Sequence, residues 1–187
     1  MIRGLSVLFI LTVSALAQSG DELLRSRAFE KGGDFALIDH HGKQFQLSST
    51  RGKVALLFFG YTSCAEACPV AMAKIAAVYK RLSGNQKVAT LFVSLDPARD
   101  TPAALARYLS HFAAAATGLT GKKEEIDAVV AQYGAKYEIE RSDSALGYHI
   151  NHSTYLYAID SSGQIRFRFN HEDSADLIAA GVKRLLE

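Results

Sequence analysis

Apolar and polar positions along the chain change period several times, and each change marks an element. Phe35 and Leu37, then Phe45 and Leu47, alternate with other residues on either side of Asp39-His40-His41-Gly42, which predicts a hairpin closed by a glycine-containing turn. Residues 54–59 are unbroken apolar sequence between Gly52 and Gly60, the pattern of a strand buried on both faces. After Cys68-Pro69, the residues Met72, Ile75, Ala76, Tyr79 and Leu82 recur at helical spacing until Ser83-Gly84-Asn85 ends them. A proline suits the first helical turn, where its missing N–H has no partner to lose. Residues 88–95 predict a second strand, and residues 96–102 form a loop that opens a helix with Leu105, Tyr108, Leu109 and Phe112 on its inner stripe. The alanine-rich residues 113–116 fall at the end of that helical pattern. A third helix is expected over 122–133, strands over 153–160 and 164–169 around Ser161-Ser162-Gly163, and a fourth helix over 174–186.

A β-α-β-α order followed by a hairpin and a closing helix predicts an α/β domain, with a mixed sheet and helices on both faces. It is the order of a thioredoxin-like fold with an N-terminal β-hairpin, and about residues 117–150 then read as an insertion before the last hairpin. Composition is consistent with one core: 187 residues are 49% hydrophobic and 21% charged. Lys plus Arg number 21 against 19 Asp plus Glu, and no basic run is long enough to follow a phosphate backbone, which excludes nucleic acid as the expected partner.

The N-terminus reads differently from the rest. Arg3, an apolar run over 5–16 and Ala15-Leu16-Ala17 predict a signal peptide over 1–17, followed by a polar leader over 18–32 and the folded domain over 33–187. An uncleaved anchor is the alternative, although the run is about a dozen residues where a spanning helix needs roughly 20. Either way the domain is expected outside the cytoplasm, in the periplasm or facing it from the inner membrane, in an oxidising compartment.

In that compartment two cysteines cannot form the multi-bridge framework of a small secreted scaffold. Cys64 and Cys68 lie between a buried strand and a helix N-terminus, where free backbone N–H groups and the helix dipole favour thiolate. Four residues apart on a helical turn, they can chelate one ion or close one disulfide. As a mere staple such a small loop contributes about 2 kcal/mol, against about 4.7 for a 100-residue loop. Two thiolates suit Cu(I), and an imidazole would complete a three-coordinate site and help hold Cu(II). Of six histidines, His40 and His41 fall in the hairpin turn, His111 on a polar helix face and His171 in a polar loop, all expected to be solvated. His149 and His152 precede the strand expected over 153–160. In a thioredoxin-like topology that loop faces the cysteines, so His152 is placed to approach them with His149 as a neighbour.

The chain resembles the Sco (SenC) family over about residues 32–186. The resemblance rests on Gly33-Asp34-Phe35, Gly42-Lys43, Gly52-Lys53, Phe58-Phe59-Gly60-Tyr61-Thr62-Ser63-Cys64 with Cys68-Pro69, Ser94-Leu95-Asp96-Pro97-Ala98-Arg99-Asp100-Thr101-Pro102, Gly118-Leu119-Thr120-Gly121 and Asn151-His152-Ser153. It implies a copper chaperone for cytochrome c oxidase assembly, not a turnover enzyme, with Cys64, Cys68 and His152 binding one copper ion. The implied partners are the copper-binding subunit of the oxidase, a copper donor protein and a thioredoxin-like reductant for a redox-active Cys64–Cys68 disulfide. Two positions depart from the family pattern. Ala65-Glu66 stand where Pro-Asp is usual, and Asn151 stands where an Asp is usual. Glu66, Asn151 and Asp96 are therefore candidates for groups that surround the ligands. Around Asp96-Pro97 the simplest expectation is a turn, with Asp100 or Thr101 capping the next helix; a rim that orients a partner protein is the alternative. A thiol-disulfide oxidoreductase acting on oxidase or other extracytoplasmic cysteines also remains open, and His152 is the residue that only copper needs.

Overall fold

The computed structural model describes residues 31–83, 86–112, 115–143 and 147–187. The expected signal peptide, nearly all of the polar leader, Gly84-Asn85 and part of the alanine-rich run lie outside the described residues. Strands β1 (Ala36–Asp39) and β2 (Gln44–Gln46) form the expected antiparallel hairpin. Its turn is closed by Gly42 at φ +76° and by the Asp39 carboxylate, which accepts the His41 and Lys43 N–H groups. Leu47 does not prolong β2; it begins a 3-10 turn, Leu47–Thr50, that carries its side chain into the core.

Strand β3 (Val54–Gly60) is buried along its whole length. It pairs in parallel with β4 (Val88–Ser94) and antiparallel with β8 (Leu156–Ile159), so both its edges and both its faces are covered. Each large apolar side chain buried there contributes about 1.5–3 kcal/mol. Its alternate residues serve different layers. Phe58 and Gly60 face helix α1 (Ala67–Arg81), and Phe58, Ala71, Ile75 and Ile178 border one small cavity against helix α4 (Ala175–Leu186). Phe59 points the other way and meets Tyr133 and Tyr157 edge-on, at 6.0 and 5.9 Å between ring centroids. Helix α2 (Pro102–Leu109) is capped by Thr101, whose hydroxyl accepts the Ala104 N–H at 3.2 Å.

The expected insertion is smaller than its sequence suggests. Residues Ala116–Thr120 form β5, parallel to β4 and antiparallel to β1, and thus belong to the central sheet. Helix α3 (Lys123–Gln132) follows directly. Gly118 permits this close packing: a Cβ there would lie 2.7 Å from Leu109 and 3.1 Å from Leu105. Among the described strands only the ribbon of β6 (Tyr137–Arg141) and β7 (Tyr148–His152) stands outside the sheet. With β9 (Ile165–Phe169) the seven-stranded order is β2-β1-β5-β4-β3-β8-β9. The edge strand β2 has three residues. The edge strand β9 carries Arg166, ion-paired to Asp160 at 2.5 Å, and Arg168, whose guanidinium lies 4.3 Å from the Tyr155 ring centroid. Among the described residues no helix is long and apolar enough to cross a membrane. The thioredoxin-like α/β expectation holds.

Candidate metal centre

Strand β3 ends at Gly60, and the chain then turns through Tyr61-Thr62-Ser63-Cys64 into α1. The turn is closed by the Cys64 N–H, which donates to the Tyr61 carbonyl at 3.3 Å. Cys68 lies in the first turn of α1 and is buried, whereas Cys64 is half-buried; both are free thiols. The Cys68 N–H donates to Cys64 Sγ at 3.4 Å, one of the helix-terminal donors with no partner inside the helix. Cys68 Sγ rests over Gly60, where a Cβ would come within 2.9 Å of the sulfur. The missing side chain makes room for the thiol.

His152 closes β7 rather than lying in a loop, because the strand expected to start at 153 begins at Leu156. Its Nδ1 donates to the Ser153 carbonyl at 3.0 Å, which turns Nε2 toward Cys68 Sγ at 3.7 Å. The ring is held edge-on by Phe58 and Tyr61, at 6.1 and 6.0 Å between centroids. One ligand atom from each of Cys64, Cys68 and His152 lies within 4.8 Å of the other two, the only such group of His, Cys, Asp and Glu among the described residues. An ion about 2.0–2.3 Å from nitrogen and sulfur ligands holds those atoms roughly 3.5–4 Å apart, so this spacing fits a single metal.

The two thiols are unequal. The Cys64 thiol is held down to about 3, first by its hydrogen bond with Cys68, and also by His152 and by the Cys68 and Glu66 amides, which together outweigh burial. Cys68 is pushed up, first by that same bond and then by burial. The shared bond thus pulls the outer thiol toward thiolate and the inner one toward its protonated form.

Other candidates fall elsewhere. Glu66 is exposed at the start of α1 and reaches Cys64 through its backbone amide, not its carboxylate. Asn151 and His149 lie on the outer face of the ribbon. There Asn151 donates to Glu140 Oε1 at 2.5 Å, and His149 Nε2 stands 3.0 Å from Glu140 Oε2. Asp96 is buried and accepts the Tyr148 hydroxyl at 2.7 Å. His40 is only partly exposed: its Nδ1 accepts the Gly118 N–H at 2.9 Å, and burial followed by neighbouring His41 lowers its pKa. His41 and His111 are exposed, and His171 is half-buried with its carbonyl taken by Lys74.

Of the two caps expected for α2, Thr101 is the one that serves, while sequence reasoning missed the roles of Tyr61 and Asp100. The Tyr61 hydroxyl accepts the Ile150 N–H at 3.3 Å and so joins the cysteine turn to β7. Asp100 caps no helix. Fully buried, it accepts the Thr62 N–H at 3.0 Å and the Thr62 and Ser94 hydroxyls at 2.6 Å each. Burial raises its pKa against the pull of these bonds. Ser94, a polar residue at the C-terminal end of a buried strand and beside Gly60, was the available signal.

With this geometry in hand, comparison with known proteins is direct. The SCO1/SenC family model matches residues 25–187. A SCO2-like protein of Rickettsia felis is 34% identical over 154 residues, 81% of this chain and 75% of that protein. The mitochondrial SCO2 homolog of Bos taurus is 35% identical over 170 residues, 89% of this chain and 64% of that protein. Among solved structures, copper-bound ScoI of Bradyrhizobium japonicum is 35% identical and superimposes with a TM-score of 0.76, covering 83% of this chain and 99% of its own. By sequence, by fold and by the three side chains gathered at the end of β3, this chain belongs to the SCO1/SenC family.

Proposed function

We propose that this chain is a copper metallochaperone that binds one ion through Cys64, Cys68 and His152 and passes it to the copper-binding subunit of cytochrome c oxidase. The observation that carries the reading is the convergence of two sulfurs and an imidazole nitrogen within 4.8 Å, with the ring held so that Nε2 faces the sulfurs. The copper bound to the Bradyrhizobium japonicum relative supports the choice of metal. Thiolates hold soft Cu(I), and the imidazole extends the site to Cu(II). The metal is cargo, so it arrives from a donor protein and leaves by ligand exchange. Residues 1–17 act as a signal peptide or anchor, residues 18–32 as a leader, and the domain over 33–187 works on the extracytoplasmic side. An oxidised Cys64–Cys68 pair offers no thiolate; a thioredoxin-like reductant must supply two electrons and two protons to restore the site.

The depressed, half-buried Cys64 thiolate with Cys68 behind it also favours a second reading, thiol-disulfide exchange. In it Cys64 attacks a partner disulfide, one partner sulfur leaves as thiolate, and Cys68 then displaces the other to close the Cys64–Cys68 bond. Anaerobic copper titration of the reduced chain against a competing chelator separates the two. One copper per chain is expected, lost in both Cys64→Ser and Cys68→Ser and, for Cu(II), weakened by at least about 10-fold in His152→Ala. Wild-type affinity in either serine variant overturns the dithiolate site. If His152→Ala fully restores oxidase activity in a strain lacking this protein while Cys64→Ser does not, thiol exchange replaces copper delivery.

A further inference from the structure

The ribbon β6–β7 makes no ladder bond to the main sheet, yet it carries His152. A two-stranded hairpin alone is marginal in water, and metal ligation needs positions held to about 0.5 Å. Something beyond the strand ladders must therefore fix β7 against the cysteine turn. Besides Tyr61, the loop between β4 and α2 does this, and it grips both sides at once.

Toward the ribbon, Asp96 accepts the Tyr148 hydroxyl at 2.7 Å and binds Arg99 through Nε. Arg99 in turn lays its guanidinium 3.7 Å from the Tyr148 ring centroid and donates Nη1 to the Tyr148 carbonyl at 3.3 Å. Tyr148 opens the strand that His152 closes, and with a period of two both residues lie on one face of the ribbon. Toward the cysteines, Asp100 holds Thr62 by its N–H and its hydroxyl, two residues before Cys64. The Asp96 carbonyl accepts both the Arg99 and Asp100 N–H groups, at 3.1 and 2.8 Å, so the two grips share one tight turn. Asp96 and Asp100 are buried, which makes their bonds costly to leave unmade.

We propose that Asp96, Arg99, Asp100 and Tyr148 form a positioning clamp that sets His152 over the cysteine pair and thereby decides how well the site retains Cu(II) relative to Cu(I). The proposal rests on the copper-binding reading above. The clamp residues act through Tyr148 and Thr62, not on the ion. Two thiolates satisfy Cu(I) without help, whereas Cu(II) favours nitrogen and oxygen donors in a defined geometry. A ribbon free to drift therefore weakens Cu(II) binding far more than Cu(I) binding.

The test uses the purified chain with Arg99→Gln and with Tyr148→Phe, which keeps the ring beneath Arg99 and deletes only the bond to Asp96. Cu(I) and Cu(II) affinities are read separately by chelator competition, and the sulfur-to-copper(II) absorption band reports the ligand geometry. Arg99→Gln is expected to lower Cu(II) affinity about 10- to 100-fold, the range for residues that support metal ligands, with a much smaller change for Cu(I) and a shifted absorption band. Tyr148→Phe should move the affinity ratio in the same direction by a smaller factor. His152→Ala marks the limit of the effect. If Arg99→Gln does not fold, Tyr148→Phe decides alone. An unchanged Cu(II) to Cu(I) affinity ratio in the folded variants overturns the clamp, as does an equal loss of both ions. If the wild-type chain binds neither ion, the copper reading itself falls.

Discussion

Two thiols shifted in opposite directions have a measurable consequence. Cys64 is lowered by Cys68, His152 and helix-terminal amides, while Cys68 is raised by the same pairing and by burial. The sign follows from the direction of each shift. A lowered thiol is already charged at neutral pH and releases nothing when a metal arrives, whereas a raised thiol must give up its proton. Copper binding at pH 7–8 is therefore expected to release about one proton per ion, and the logarithm of affinity to rise by about one per pH unit. An unbuffered titration with an indicator dye measures this, and release of two protons would remove the asymmetry. The cysteine pair was legible in residue type and spacing, whereas His152 was reached through the analogy of the fold and the family resemblance. Asp100 and Tyr61 were legible in neither. Their roles depend on partners 38 and 89 residues away, which come close only after folding.

At the scale of elements, the junction from β3 to α1 depends on one absent side chain. An alanine at Gly60 would place its Cβ 2.9 Å from Cys68 Sγ, 2.9 Å from Phe58 and 3.0 Å from Phe92. Gly60→Ala is expected to destabilise the fold by about 1–3 kcal/mol, the usual cost of overpacking, and to weaken copper binding by displacing the buried sulfur. Urea unfolding and chelator competition check both, and wild-type values in each would show that the close approach is dispensable. The sequence marked Gly60 as a strand boundary and said nothing of the thiol above it. The same limit hid β5, whose Ala116, Thr117 and Gly118 lack the apolar run of a central strand; a glycine stands at 118 because Leu105 and Leu109 press on it. It also hid β6, where Ile139 is the middle apolar residue between two glutamates and is itself exposed. Long periodic segments such as β3, β4 and the four helices announced themselves because each buries a full face of its own.

Across the whole molecule the proposed ligands span two bodies of unequal firmness, a seven-stranded sheet and a two-stranded ribbon. Without metal, amides in β6 and β7 are expected to exchange hydrogen faster than those in β3 and β4, which are covered on both faces. Copper that joins Cys64, Cys68 and His152 should slow exchange at 148–152 in particular, as read by mass spectrometry; unchanged exchange there would show that His152 takes no part. The sheet's outer margins bear on how the molecule meets others. At one margin β2 is only three residues long, and at the other β9 is studded with Arg166 and Arg168. Neither presents the long, flat, uncharged backbone on which a foreign strand could be templated. Recruitment by strand addition is therefore disfavoured on both flanks, and neighbouring copies crowded together have no ready seam along which to polymerise. Specificity in such a molecule is left to side-chain encounter, a mode that can be brief and reversible, as the handover of a cargo ion requires.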